Sequence, residues 1–405
     1  MKRASSADVN AARVLDSEVM PNGKVTILGG GVAALEALIA LRGIAEERVA
    51  LELISPSATW AYRPLAVAEP FGLGEAKSYD LVKIARDHGA ALHLAGIQAV
   101  DTDARRLSTW DGRSLPYELL VVAVGAQPTV AVRGSVTLYG PGYTGRFRTM
   151  LRDLDQRRIR NVVFAVPAGA SWPLPLYELA LMTAAHVAER GLRKVQLSIV
   201  TPEEAPLELF GVPASDALLA LLEERGIAFD GGRYPSEVQD GELGVVPGPN
   251  VRADRVVSLP RLRGPFFPGL PHDADGFIPT DLHGRVEGKL DVYAAGDATT
   301  CPIKQGGVAT QQADAVAEAI AARLGAPTEP APFRPILRGL LLTGSEPRYL
   351  RAEVSGGADR PAVATKNALW WPPSKIAGRW LAPYLAQRHE DLERPDSGVS
   401  VEALV

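Results

Sequence analysis

Hydrophobic positions along this chain keep two rhythms, short β-branched runs and longer stretches of helix formers, and the alternation between them predicts the elements. Lys24-Val25-Thr26-Ile27-Leu28 is a short apolar run that ends in Gly29-Gly30-Gly31, after which Val32 to Leu41 carries strong helix formers. The pattern predicts strand, tight turn and helix. A second apolar run, Val49 to Ile54, follows about one helix length later and completes a βαβ unit, whose parallel sheet needs cover on both faces. From Ala91 to Val124 the spacing changes to short strands separated by turn signals such as Asp111-Gly112-Arg113, predicting a small antiparallel insert that returns to the sheet. A second unit starts near Asn161, with a strand at Val162 to Val166, a helix over Leu176 to Arg190 and a strand at Val195 to Val200. It closes at Arg255 to Leu259, and the chain returns through Val292-Tyr293-Ala294-Ala295 and an Ala-rich helix ending near Leu324. Pro327 to Pro332 reads as a linker, and Arg338 to Val354 as a hairpin turning near Ser345-Glu346-Pro347.

The expected fold class is α/β: two interleaved Rossmann-like dinucleotide-binding domains of the three-layer ββα type, plus a small C-terminal α+β domain. The first domain takes residues 23–130 and 260–325, the second, a degenerate NAD-type domain, 131–259, and the C-terminal hairpin and helix region 326–394. Residues 1–22 and 395–405 are expected to be flexible.

Composition narrows the function classes. With 405 residues, 46% of them hydrophobic, the chain can bury a core large enough for two or three domains. Forty-three basic against forty-seven acidic residues leave a net charge of −4, which offers no global field to recruit nucleic acid. Residues 1–22 lack the apolar core of a secretory signal, and no apolar run approaches the roughly 18 residues of a membrane span. A cytoplasmic location, with peripheral attachment at the inner membrane face as an extension, is the expectation. One cysteine, Cys301, excludes an intrachain disulfide, a CxxC redox pair and a multi-thiolate zinc site. The six histidines show no ligand spacing, so no metal is expected.

The chemistry begins at Gly29-x-Gly31-x-x-Ala34, between the first strand and the first helix. The first glycine permits the turn and the second lets a pyrophosphate approach the backbone. The small third residue packs helix on strand, while the helix start, with Val32 and Ala33, faces the anion. Where an acidic residue would normally end the second strand to bind a ribose, the chain has Ser55. Val292 to Ala298 is a buried strand running into Gly296-Asp297, whose carboxylate can accept a hydrogen bond from a ribityl hydroxyl. Only a flavin dinucleotide has a ribityl chain, so the expected cofactor is FAD. Tyr117 to Pro128 is another strand ending in glycine, and Ala123 and Gly125, with Gln98, complete the candidate cofactor contacts.

With these segments in this order, residues 22–325 resemble the two-dinucleotide-binding-domain flavoproteins: pyridine nucleotide-disulfide oxidoreductases, type II NADH dehydrogenases and sulfide:quinone reductases. Leu53-Ile54-Ser55, Tyr62-Arg63-Pro64-Leu65 and Val200-Thr201-Pro202-Glu203 with Leu209-Phe210-Gly211 are similar to the sulfide:quinone reductase and flavocytochrome c sulfide dehydrogenase branch. The resemblance implies that Ser55, Arg63 and Pro64 line the adenosine and pyrophosphate side, that Gly125 passes near the flavin, and that Asp297 holds the ribityl chain. The redox cysteines of that superfamily are missing, so neither disulfide reduction nor ordinary sulfide oxidation is expected. The second glycine fingerprint is replaced by Val166-Pro167-Ala168-Gly169-Ala170-Ser171-Trp172-Pro173-Leu174-Pro175, whose prolines lack donor N–H groups. Glu178 stands where the family's second fingerprint ends in a glutamate facing the flavin, as a proton donor or acceptor or else a helix-dipole partner. Lys304-Gln305-Gly306-Gly307-Val308 resembles the segment whose helix start points at the flavin pyrimidine, which makes Lys304 and Gln305 cofactor contacts and Lys304 a catalytic candidate with Glu178. Cys301 is either a reactive thiol or a small packing residue.

Near the C-terminus Leu369-Trp370-Trp371-Pro372-Pro373 precedes Ile376, Trp380, Leu381, Tyr384 and Leu385, flanked by Lys375, Arg379 and Arg388. This element, residues 369–388, either touches a membrane surface, caps the flavin domain or forms a homodimer face. The expected function is an FAD-dependent oxidoreductase taking electrons from a small-molecule donor to an acceptor such as a quinone. An NAD(P)H dehydrogenase with a non-standard nicotinamide site and a non-catalytic flavin-binding sensor or assembly protein are the alternatives.

Overall fold

The computed structural model describes residues 23–139, 142–354, 361–387 and 402–403. The flexible start expected at 1–22 therefore lies outside the described residues, as do Arg388 and all of the expected tail except 402–403.

The chain runs through β1 (Gly23–Leu28), α1 (Val32–Ala45), β2 (Val49–Ser55), β3 (Ala90–Leu94) and β4 (Leu119–Val122). A second unit follows: β5 (Val136–Thr137), α2 (Tyr143–Asp155), β6 (Asn161–Ala165), α3 (Leu174–Glu189), β7 (Gln196–Val200), β8 (Ile227–Asp230) and β9 (Arg255–Ser258). The chain then returns through β10 (Val292–Ala294) and α4 (Gly306–Arg323). The first sheet has the order β10-β4-β1-β2-β3 and the second β5-β9-β6-β7-β8, and every pairing in both is parallel. Between the two, Gln127–Thr129 on the way out pairs antiparallel with Arg261–Arg263 on the way back.

Each sheet is the middle of three layers. Helices α1 and α4 cover one face of the first sheet, and both are rich in alanine, so they approach each other closely over a shared core that includes Ala34, Leu38, Ala313 and Val316. The other face packs Leu28, Leu120 and Val122 against Val100 and Leu107 of a three-stranded antiparallel ribbon formed by Ile97–Asp101, Arg106–Thr109 and Ser114–Pro116. The second sheet repeats the arrangement with a ribbon over Tyr234–Gln239, Glu242–Val246 and Val251–Arg252. This is the three-layer ββα architecture expected from the patterning. One boundary differs: the predicted insert began at Ala91, but β3 pairs parallel with β2 as an edge of the main sheet, and the ribbon starts only at Ile97. Its side chains run half-buried, exposed, half-buried, half-buried, exposed, a partial burial that an edge strand shares with a ribbon.

The C-terminal part is a three-stranded antiparallel sheet of β11 (Ile336–Leu341), β12 (Arg348–Glu353) and β13 (Ala362–Thr365), the first two being the expected hairpin. After β14 (Trp370–Trp371) comes the short helix α5 (Leu381–Ala386). A last strand, β15 (Glu402–Ala403), pairs parallel with β14, where the sequence pattern predicts only a flexible tail.

Candidate functional site

The glycines at the C-terminal edge of the first sheet divide into those the chain itself requires and one it does not. Gly29 sits at φ +123°, and a Cβ there would lie 2.2 Å from the Ala123 carbonyl oxygen, so both its conformation and the approach of β4 demand glycine. Gly296 sits at φ +78°, and its added Cβ would come within 2.9 Å of the Ala33 Cβ, which seats the Gly296-Asp297 turn directly against the first turn of α1. Gly31 is different. It is extended, at φ −97° and ψ −169°, and a Cβ there would meet nothing within 4 Å. Neither conformation nor packing forbids a side chain at Gly31, yet one would fill the space in front of the α1 N-terminus. Gly125, at φ +74°, likewise faces open space.

Asp297 completes this edge. Burial raises its pKa to about 6, with Lys304 pulling it back down, and among the described residues its carboxylate has no hydrogen-bond donor. A carboxylate without a donor, an open cradle at Gly31 and the uncapped first turn of α1 together suit a pyrophosphate joined to a hydroxylated chain. The residues present fit FAD.

A cleft of about 640 Å³ opens between the two sheets. It is lined by Arg63 and Pro64 from the loop after β2, by Trp172, Pro175 and Glu178 at the start of α3, and by Lys304 and Gln305 before α4. The structure therefore brings Arg63, Pro64, Glu178, Lys304 and Gln305 together. Lys304 is 8% exposed; its ammonium donates to the Thr299 carbonyl and lies 3.8 Å from the centroid of the Phe277 ring. Burial lowers its pKa, and the Asp297 carboxylate opposes that. The Gln305 amide oxygen accepts from the Val308 N–H at 2.8 Å, capping α4, and its nitrogen reaches the Arg338 carbonyl at 3.3 Å.

Glu178 has no exposed surface. One carboxylate oxygen is ion-paired with Lys375 and accepts from the Leu342 N–H at 2.8 Å, while Oε2 is buried with no partner among the described residues. Burial raises its pKa, and the Lys375 ammonium opposes the shift. The helix-dipole alternative is thus replaced by a specific partner. Sequence reasoning placed Lys375 on an amphipathic surface element, but its side chain is only 7% exposed, and a cation with that much burial is retained only where it is paired. Tyr143 and Arg338 also line the cleft and were missed, because they lie on an amphipathic helix and a hairpin strand whose patterns read as packing.

Three candidates lie elsewhere. Gln98 is exposed at a bulge in the ribbon and does not line the cleft. Ser55 is 2% exposed, and its hydroxyl accepts from the Ser57 N–H at 3.2 Å beside the Gly30 turn, so it shapes the loop and is not open toward the cleft. Cys301 donates weakly to the Ile303 carbonyl and packs against the second core, and burial pushes its thiol pKa up. That is the packing alternative, since a nucleophile needs the opposite shift.

The C-terminal element is largely absorbed into the fold. Trp370, Ile376, Leu381 and Leu385 are buried and Arg379 pairs with Glu318, leaving Trp380 and Tyr384 partly exposed. The element closes an apolar pocket of about 230 Å³ lined by Tyr62, Leu65, Tyr79, Leu340, Leu381 and Leu385, and its wall of Leu340, Lys375 and Ile376 is shared with the cleft. Among the described residues no helix is long and apolar enough to cross a membrane.

The start of α3 is poor in donors. Pro173 and Pro175 lack N–H groups, the Leu176 N–H is taken by the Pro173 carbonyl at 2.9 Å, and Trp172 packs edge-on against Phe210. Just after β7, Oε2 of Glu203 accepts from the Tyr177 hydroxyl at 2.7 Å and the Thr201 hydroxyl at 3.0 Å, while Oε1 is buried with no partner among the described residues.

Two parallel three-layer units joined by a paired crossover, with a glycine cradle on one and a cleft between them, give this chain the fold of the two-dinucleotide-binding-domain flavoproteins. Among proteins of that fold it is similar to the sulfide:quinone reductases. The chain is 26% identical over 207 residues to a sulfide-quinone reductase of Aquifex aeolicus, a match spanning 49% of this chain and about half, 47%, of that relative's length. The structure of the sulfide:quinone oxidoreductase from Aquifex aeolicus superposes with a TM-score of 0.76 at 20% identity, covering 85% of this chain and 87% of that one. A ferredoxin reductase from Rhodopseudomonas palustris gives a TM-score of 0.63 at 20% identity over 83% of each chain. NDH2 from Plasmodium falciparum gives 0.56 at 15% identity, over 69% of this chain and 64% of that one. No family model matches the sequence.

Proposed function

We propose that this chain is an FAD-dependent oxidoreductase that takes electrons from a donor other than a nicotinamide nucleotide or a protein dithiol and delivers them to a lipophilic acceptor of the quinone class. The observation that carries the reading is the wall of Leu340, Lys375 and Ile376 shared by the inter-sheet cleft and the apolar pocket, with the buried Glu178–Lys375 pair behind it. The pocket's apolar lining suits a hydrophobic ring, and the pair places exchangeable protons at its boundary. FAD, held by Gly29, Gly31, Ala34, Gly125, Gly296 and Asp297, would supply acceptance and release of an electron pair.

Reduction of a quinone to a quinol takes up two electrons and two protons. With FAD supplying the two electrons, Lys375 would pass one proton to an oxygen at the pocket wall, and the second proton, together with the one that restores the Glu178–Lys375 pair, comes from solvent in the open cleft. Lys304 and the start of α4 put positive potential at the other side of the cleft. The names of the Aquifex relatives, which pair sulfide with quinone, support the acceptor half of the reading, while the single cysteine of this chain leaves the donor half without their chemistry.

Against the NAD(P)H alternative stands the proline-blocked start of α3. The test is anaerobic stopped-flow on the FAD-loaded protein. Neither NADH nor NADPH is expected to bleach the flavin, while a short-chain quinone reoxidises the photoreduced protein. Rapid bleaching by either nucleotide would overturn the donor assignment; photoreduced flavin indifferent to the quinone would overturn the acceptor and favour a non-catalytic sensor.

A further inference from the structure

Two short basic runs, Arg157-Arg158-Ile159-Arg160 and Arg190-Gly191-Leu192-Arg193-Lys194, are distant in sequence. Each comes just before a strand of the second sheet, β6 and β7, and those strands pair in parallel with Asn161 opposite Gln196. Parallel pairing therefore brings both runs to the N-terminal edge of the sheet, the edge away from the inter-sheet cleft. There they form a groove of about 280 Å³ with an apolar floor of Leu154, Ile159 and Leu192 and a rim of Arg157, Arg160, Arg193 and Lys194.

Two features mark this groove as more than a solvated edge. Neighbouring cations are neutralised, since Asp153 pairs with both Arg158 and Arg255, yet the four rim side chains have no carboxylate partner among the described residues. In a chain of net charge −4, four unneutralised cations converging on one concavity are an uneven use of charge. The backbone gives the second. Arg157 sits at φ +58°, just past the end of α2, while the matching turn after α3 uses Gly191 at φ +63°. The fold uses glycine for this conformation at one rim position and keeps a strained arginine at the other. Cations near the ends of α2 and α3 also complement the helix dipoles, but that role needs no concave site and no strained residue.

We propose that this groove is a phosphate-binding site for a small soluble ligand, separate from the flavin site. The apolar floor holds the ligand's body, and the guanidinium groups supply charge-assisted hydrogen bonds to phosphate oxygens. A concave groove of this size fits a compact phosphorylated molecule better than a flat lipid surface, which would contact exposed cations without entering between them.

Inorganic pyrophosphate titrated into the FAD-loaded protein at constant ionic strength, followed by calorimetry, is the direct probe, because loaded FAD blocks the other pyrophosphate site. Saturable binding is expected, weakened at least about tenfold in Arg193→Gln/Lys194→Gln and in Arg157→Gly. Arg157→Gly also relieves the positive φ, so without anion it should melt no lower than the parent protein. Both variants should keep the parent flavin absorbance, so a failure here is distinguishable from a failure of the flavin reading. Binding no stronger than that of matched chloride, or unchanged in the variants, overturns the proposal. Rim-dependent co-sedimentation with phosphatidylglycerol vesicles that pyrophosphate does not compete away overturns it in favour of a membrane surface.

Discussion

Gly29 and Gly31 look alike in the sequence and differ in what a substitution would do. Gly29→Ala forces a Cβ against the Ala123 carbonyl at a positive φ, and a loss of about 1–3 kcal/mol of stability is expected, read as a lowered melting temperature. The Cβ of Gly31→Val meets no protein atom within 4 Å, so the fold should survive while bound FAD, read from the ratio of flavin to protein absorbance after gel filtration, is lost. A Gly31→Val protein that retains its flavin would mean that Gly31 does not seat the pyrophosphate. The Glu178–Lys375 pair is a second residue-scale case. Lys375→Met leaves a buried carboxylate without its cation and is expected to cost about 3–5 kcal/mol, whereas Glu178→Gln/Lys375→Met leaves no buried charge and should recover most of the loss in thermal melts. Glycine spacing was readable from the sequence because it follows from backbone geometry. Lys375 was not, because its burial depends on a segment almost two hundred positions away from Glu178.

At the scale of elements, the C-terminal segment is fastened to the first unit by carboxylates. Glu36 of α1 accepts from the Trp380 and Leu381 N–H groups at 2.7 and 2.8 Å, at the start of α5, and Asp314 of α4 lies against it. Burial raises both pKa values, Glu36 to about 7 and Asp314 to about 9, the latter also through repulsion from Glu36, with Arg379 opposing and Glu318 adding. Glu36 holds two N–H donors and is the better placed of the two to carry the charge, which leaves Asp314 protonated at neutral pH. Both folded pKa values exceed the unfolded ones, so the folded state binds more protons, and the stability from this pair is full below about pH 4 and is lost as pH rises toward 9. Melting temperature should therefore fall between pH 6 and pH 9 in the parent protein and fall less in Asp314→Asn. An identical slope in the variant would show that the pair does not govern it. The sequence showed the apolar residues of this segment clearly but not their destination, since an amphipathic pattern is the same whether its face meets lipid or α1.

Across the whole molecule, the candidate cofactor residues come from the ends of β1, β4 and β10, the start of α1 and the loop before α4, so FAD held there would tie the early and late parts of the first unit together. Removing FAD should lower the melting temperature, because a ligand that binds only the folded state stabilises it by about 4 kcal/mol at a thousandfold excess over its Kd. An unchanged melt would mean that the first unit is fully formed without its cofactor. Architecture was legible because each βαβ unit is written locally: a β-branched run, a glycine turn and a helix one sheet-crossing long fix a parallel pair, and two such units with a returning strand fix the interleaving. Boundaries such as β3 against the ribbon were not, since an edge strand and a ribbon strand are partly buried in the same way. By itself the sequence determined the fold class and singled out the glycine and aspartate positions of the candidate flavin site, because those depend on local conformation and short spacing. Only tertiary structure decided that Glu178 meets Lys375, that Cys301 packs, that Ser55 is closed off, and that two basic runs converge on one groove. These are distances between segments far apart in the chain, and they are set by how helices and sheets pack, which no local pattern records.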